Sequence, residues 1–90
     1  MPYTRQEQAI LAAFGRRIRE ARKARGWTQE DLAYEAELDR TYIGGIERGE
    51  RNIALLSLNK LAVALGEGFG DFFSYTGAGP SRREPAKRRR

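Results

Sequence analysis

Residues 28–51 read TQEDLAYEAELDRTYIGGIERGER, and their punctuation predicts two short helices joined by a tight turn. Thr28 is suited to cap a helix whose third residue, Asp31, can reach back to the capping amide, while Trp27 before it can pack on Leu32. That is a capping box of the acidic type with a hydrophobic staple. The same grammar repeats at Asp39, where the preceding Leu38 can staple onto Ile43. Glu37 and Leu38 are left to make the turn, so the two helices must meet at a steep angle rather than lie side by side. Leu32, Ala33, Ala36, Leu38, Ile43 and Ile46 form the inward set, with Ala33 small where the helices cross. Gly49, just past Arg48, stands where a helix end favours positive φ and stops the second helix. The pattern is that of a helix-turn-helix, in which the second helix is presented outward.

Composition narrows the function classes. Ninety residues allow one small domain with a single core, a size at which a partner subunit adds useful stability. There is no cysteine, hence no disulfide or thiolate metal site, and no histidine, which removes the commonest general base and metal ligand. Neither an enzyme, a metal nor a cofactor is expected. No apolar run approaches the length of a membrane span and no signal-peptide pattern opens the chain, so a cytoplasmic protein with no membrane partner is expected. The net charge of +5 is unevenly placed: Arg82, Arg83, Lys87, Arg88, Arg89 and Arg90 lie in the last nine residues, and the first 75 hold eleven bases and eleven acids. A neutral body can attract a polyanion only by segregating its charge between faces.

Around the central stretch the helical period continues. Thr4 and Glu7 form another capping box, opening a helix with Ile10, Leu11, Phe14, Ile18 and Ala21 on one face; Gly26 ends it. Its other face carries Arg16, Arg17, Arg19, Lys23 and Arg25, a solvated charged surface from which Arg17 is the best candidate for a phosphate contact. A fourth helix is expected over 53–65, with Leu55, Leu58, Leu61, Ala62 and Leu65 inward and Leu56 and Val63 off that stripe. Phe69, Phe72 and Phe73 follow in a short last helix. So much apolar surface at one edge of a small domain marks an interface, and a two-fold dimer through Leu56, Val63, Phe69, Phe72 and Phe73 is expected. Residues 1–76 are thus read as the folded, dimerising domain, and 77–90 as a disordered basic tail that adds unspecific phosphate attraction or serves solubility alone.

The runs Gln29-Glu30-Asp31-Leu32-Ala33, Asp39-Arg40-Thr41-Tyr42-Ile43 and Ile46-Glu47-Arg48-Gly49-Glu50-Arg51-Asn52 resemble the Cro and phage-repressor type helix-turn-helix (XRE) family, and most of all the controller proteins of bacterial restriction-modification systems. The resemblance covers 14–73. It implies an all-α, compact five-helix lambda-repressor-like domain that binds double-stranded DNA at a palindromic operator as a homodimer and regulates transcription by blocking or recruiting RNA polymerase. It also implies that Arg22 pairs with Glu47 as a structural brace, and that Arg51 and Asn52 lie along the DNA backbone.

The second motif helix would lead with Arg40, Thr41 and Tyr42, the turn that points deepest into a major groove. Arg40 suits a bidentate contact to guanine, and Thr41 offers a hydroxyl and a methyl. Tyr42 either stacks, bonds a phosphate or packs on its own helix. Gln29, at the first turn of the preceding helix, is placed to hold a phosphate or is an ordinary exposed glutamine. Arg48 closes the DNA-binding set. Gly44 and Gly45 together cost about 2 kcal/mol of helix propensity, so either the backbone approaches DNA closely there or specificity moves to Arg40 and Thr41. Glu37 stands where the family usually has glycine, which requires another turn geometry or strain. A rival reading is a transcriptional bridging protein of the same fold that binds proteins instead of DNA; the Arg40-Thr41-Tyr42 triple argues against it.

Overall fold

The computed structural model describes residues 2–68, 70 and 71. Four helices follow one another among them: α1 (Arg5–Ala24), α2 (Gln29–Ala36), α3 (Arg40–Glu47) and α4 (Leu55–Leu65). The fold is all-α. The expected fifth helix, with Phe69, Phe72 and Phe73, falls on residues outside those described, as does the 77–90 tail.

Three of the four helices, α1, α2 and α3, begin where a side chain can take free backbone donors. Thr4 and Thr28 form reciprocal capping boxes with Glu7 and Asp31, and the Asp39 carboxylate accepts from the amides of Thr41 and Tyr42. Gly26, Gly49 and Gly66 end three helices with φ between 68° and 75°. The α2 end lacks a glycine, and Glu37 takes the left-handed conformation itself, at φ 58° and ψ 45°. This lets the Leu38 amide reach the Ala33 carbonyl at 2.9 Å and closes the tight turn to α3. The non-glycine turn therefore accepts strain rather than changing geometry.

The core gathers Phe14, Ile18 and Ala21 from α1, Leu32, Ala33 and Ala36 from α2, Ile43 and Ile46 from α3, and Leu58, Leu61, Ala62 and Leu65 from α4. Trp27 and Leu38 pack against it from the loops. Two expected core residues lie elsewhere. Ile10, on the first turns of α1 ahead of the buried stripe, is exposed, and so is Leu55, at 67 %. Helix α4 starts only at Leu55, two residues later than its apolar run suggests, so Leu55 joins Leu56 and Val63 on the outer face.

Gly15 has a role that its helix propensity conceals. It is buried where α1 crosses the end of α3, and a β-carbon there would overlap the carbonyl of Ile46 and come within 2.7 Å of the carbonyl of Glu47. The weakened helix is the condition for that close approach.

Candidate nucleic-acid interface

The buried brace is the foundation of the site. Arg22 Nε and Nη2 donate to the two carboxylate oxygens of Glu47 at 2.7 and 3.0 Å, and Arg22 Nη1 donates to the Trp27 carbonyl at 2.7 Å. Both side chains are almost wholly covered, so the paired geometry and the third bond are what make their burial tolerable. The hydrogen bond that Arg22 donates to Glu47 raises the pKa of Arg22, against the opposing effect of burial. The ion pair implied by the family resemblance is thus present and locks α1 to the last turn of α3.

Glu47 also accepts from Gln29 Nε2 at 3.0 Å. That bond, which sequence reading missed, settles the direction of the carboxamide. Its nitrogen faces the buried carboxylate and its oxygen faces outward, where Arg40 Nη1 approaches at 3.4 Å. A chain of polar contacts therefore runs from the core to the first residue of α3: Arg22, Glu47, Gln29, Arg40. One Gln29 amide hydrogen is engaged on Glu47, which leaves the outward oxygen as an acceptor for a neighbouring guanidinium.

Arg40 and Thr41 are exposed at the start of α3. Tyr42 is half-buried, and its hydroxyl accepts the Ala54 amide at 3.1 Å. Ala54 precedes α4 and offers no side-chain cap, so Tyr42 steadies the entry to that helix. Its ring also carries the Arg51 guanidinium, 5.7 Å from the centroid. These contacts of Tyr42 lie beyond its own helix, at Ala54, Arg51 and the core, rather than in the packing on α3 considered from sequence. Asn52 is exposed beside Arg51.

The basic face of α1 is less free than its sequence suggests. Arg17 donates to Glu67, beyond α4. Arg25 donates to the Leu65 carbonyl at 3.0 and 3.3 Å and lies over Trp27, capping the C-terminus of α4. Arg16, Arg19 and Lys23 keep the solvated role. Nothing in one helix could reveal this, because the partners lie 50 and 40 residues away. Among the described residues no group of His, Cys, Asp or Glu is placed to hold a metal ion, and no helix is long and apolar enough to cross a membrane.

Residues 18–72 match the helix-turn-helix family model. The chain belongs to the helix-turn-helix family. This regulator family is DNA-binding, and the relatives of the chain are named as control proteins, an immunity repressor and a hypothetical transcription factor. The chain is 42% identical over 71 residues to control protein C.BamHI of Bacillus amyloliquefaciens, covering 78% of this chain and 88% of that protein. It is 45% identical over 60 residues to a hypothetical transcription factor of Neisseria meningitidis, covering 67% of this chain but 57% of that protein's length. Among solved structures, the restriction-modification controller protein C.AhdI from Aeromonas hydrophila superposes with a TM-score of 0.68 at 49% identity, over 70% of this chain and 96% of that one. The controller protein C.Esp1396I, solved as a tetramer in complex with its natural 35 base-pair operator, superposes with a TM-score of 0.68 at 42% identity, over 74% of this chain and 88% of that one. The helix-turn-helix regulator described here shares the fold and much of the sequence of these controllers.

Proposed function

We propose that this helix-turn-helix regulator acts as the controller protein of a restriction-modification system, binding a two-fold operator as a dimer and setting transcription of the system's genes. The observation that carries the reading is the polar chain Arg22-Glu47-Gln29-Arg40, which ends in an exposed guanidinium at the leading turn of α3. Gln29 Oε1, 3.4 Å from Arg40 Nη1, steers that guanidinium only lightly and leaves it free to turn to a base edge. Arg40 would take the O6 and N7 edge of guanine, Thr41 a neighbouring base or phosphate, and Arg51 and Asn52 the backbone.

The two copies would meet through the outer face of α4. Leu56 and Val63 are 75 % and 72 % exposed, and Leu55 beside them extends the same surface. A two-fold axis through that face suits α3 helices entering successive major grooves about 34 Å apart. Occupancy of the site in the cytoplasm would then block or recruit RNA polymerase, and the basic tail would add salt-sensitive attraction that ignores sequence.

Selection of bound duplexes from a random pool near physiological salt tests this, with the whole chain and with a chain lacking 77–90. Enrichment of a two-fold symmetric sequence by both supports the reading. Failure to enrich any sequence, or binding that disappears with the tail, refutes it.

A further inference from the structure

Three residues of α3, Arg40, Gly44 and Arg48, are four apart and share one stripe of the helix. Arg40 is exposed at one end and Arg48 at the other, yet Gly44 between them is buried. What covers it is Arg48. Its Nη1 lies 3.1 Å from where a β-carbon of Gly44 would stand, and Gln29 Oε1 lies 3.5 Å from the same point. Arg48 is held in this folded-back pose by Glu50, whose carboxylate takes Nε at 3.0 Å. The guanidinium thus occupies the place on the outward stripe where a side chain at position 44 would project, next to the carboxamide that also meets Arg40.

Gly45 is covered too, but differently. Arg51 lays its stem there, Cγ standing 2.5 Å from the position of an absent β-carbon, while its guanidinium is drawn onto Tyr42. Arg51 is placed at the edge of α3, and Arg48 on the stripe led by Arg40.

We propose that Arg48 is a specificity-determining residue: folded back over Gly44 and anchored by Glu50, it reads a base edge in place of a side chain at position 44. The inference rests on the DNA-binding reading above and adds a named reader to it. Gly45 is then a seat that the Arg51 stem requires, and Gly44 leaves Arg48 room to fold back.

The test begins with the operator selected by the unmodified chain and compares Arg48→Ala, Arg48→Lys, Gly44→Ala and Arg51→Ala on that operator and on random duplex. Arg48→Ala is expected to erase preference at one base pair per half-site and to weaken the operator about tenfold more than random DNA, the factor of one good base contact. Arg48→Lys should recover unspecific affinity without that preference, because an ammonium lacks the planar fork. Gly44→Ala changes no charge and favours the helix, and its β-carbon asks the Arg48 guanidinium, at 3.1 Å, to give by only a few tenths of an ångström, so it should keep the same base preference while thermal stability holds. Arg51→Ala should weaken all duplexes alike. Equal weakening of operator and random DNA by Arg48→Ala, or a base preference that Arg48→Lys keeps in full, would overturn this assignment alone. No selected operator for the unmodified chain would overturn the proposed function and this inference with it.

Discussion

Arg40 and Arg22 show how one residue type serves two ends in a small domain. Arg40 is exposed and only lightly held by Gln29, so its worth lies in what it meets. Arg40→Ala is expected to cost about 1 to 3 kcal/mol of binding to the selected operator and to relax preference at one base pair per half-site, measured by titration against matched duplexes. Arg22 is buried with its charge spent on Glu47. Arg22→Met should lower unfolding free energy by about 3 to 5 kcal/mol in urea titrations, because it leaves a carboxylate uncompensated in the core. The pH dependence follows from the sign of the shift. A base whose folded pKa is raised contributes its full stabilisation below the unfolded pKa and loses it only as pH climbs through the folded value. For an arginine that window lies far above neutrality, so the guanidinium stays charged and the loss in Arg22→Met should not be altered by its titration between about pH 6 and about pH 9.

Helix crossings and helix ends, more than helix interiors, set how α1, α2 and α3 meet. Gly15 permits α1 to touch the last turn of α3 backbone to backbone. Gly15→Ala is therefore expected to destabilise by about 1 to 3 kcal/mol, although alanine is the better helix former, because the obstructing atoms are main-chain carbonyls that cannot turn aside. Glu37 gives the opposite sign. It holds a left-handed backbone at the turn between α2 and α3, and Glu37→Gly should raise stability by about 1 kcal/mol, read as a shifted urea midpoint with an unchanged slope. That the motif tolerates glutamate here follows from the bond it secures: the Leu38 amide still reaches Ala33.

Across the molecule, buried braces and exposed patches are separated. The acids Glu47 and Glu67 and the Leu65 carbonyl take Arg22, Arg17 and Arg25 into the fold, while the outer face of α4 presents Leu55, Leu56 and Val63 uncovered. If that face joins two copies, the double variant Leu56→Glu, Val63→Glu should sediment as a monomer at micromolar concentration and remain folded. It should also lose affinity for the full operator far more than for a half-site, since one copy then binds without the other. A dimer that survives both substitutions would place the interface elsewhere.

Much of this was legible in 28–51 and its flanks. The caps Thr4, Thr28 and Asp39 and the stops Gly26 and Gly49 were readable because each acts on backbone groups two to four residues away, a range that sequence specifies directly. The same holds for the inward stripe Leu32, Ala33, Ala36, Ile43 and Ile46, which follows the helical period. The family pattern supplied Arg22 with Glu47. What could not be read was the meaning of Gly15, Gly44, Gly45, Arg17 and Arg25, or which side of α4 would leave Leu55 bare. Those depend on where another helix or a long side chain passes, and the partner of Arg17 is 50 residues distant. Local torsions and caps set the helices; only their packing determined which glycine faces a backbone, which lies beneath an arginine, and which arginines remain available at the surface.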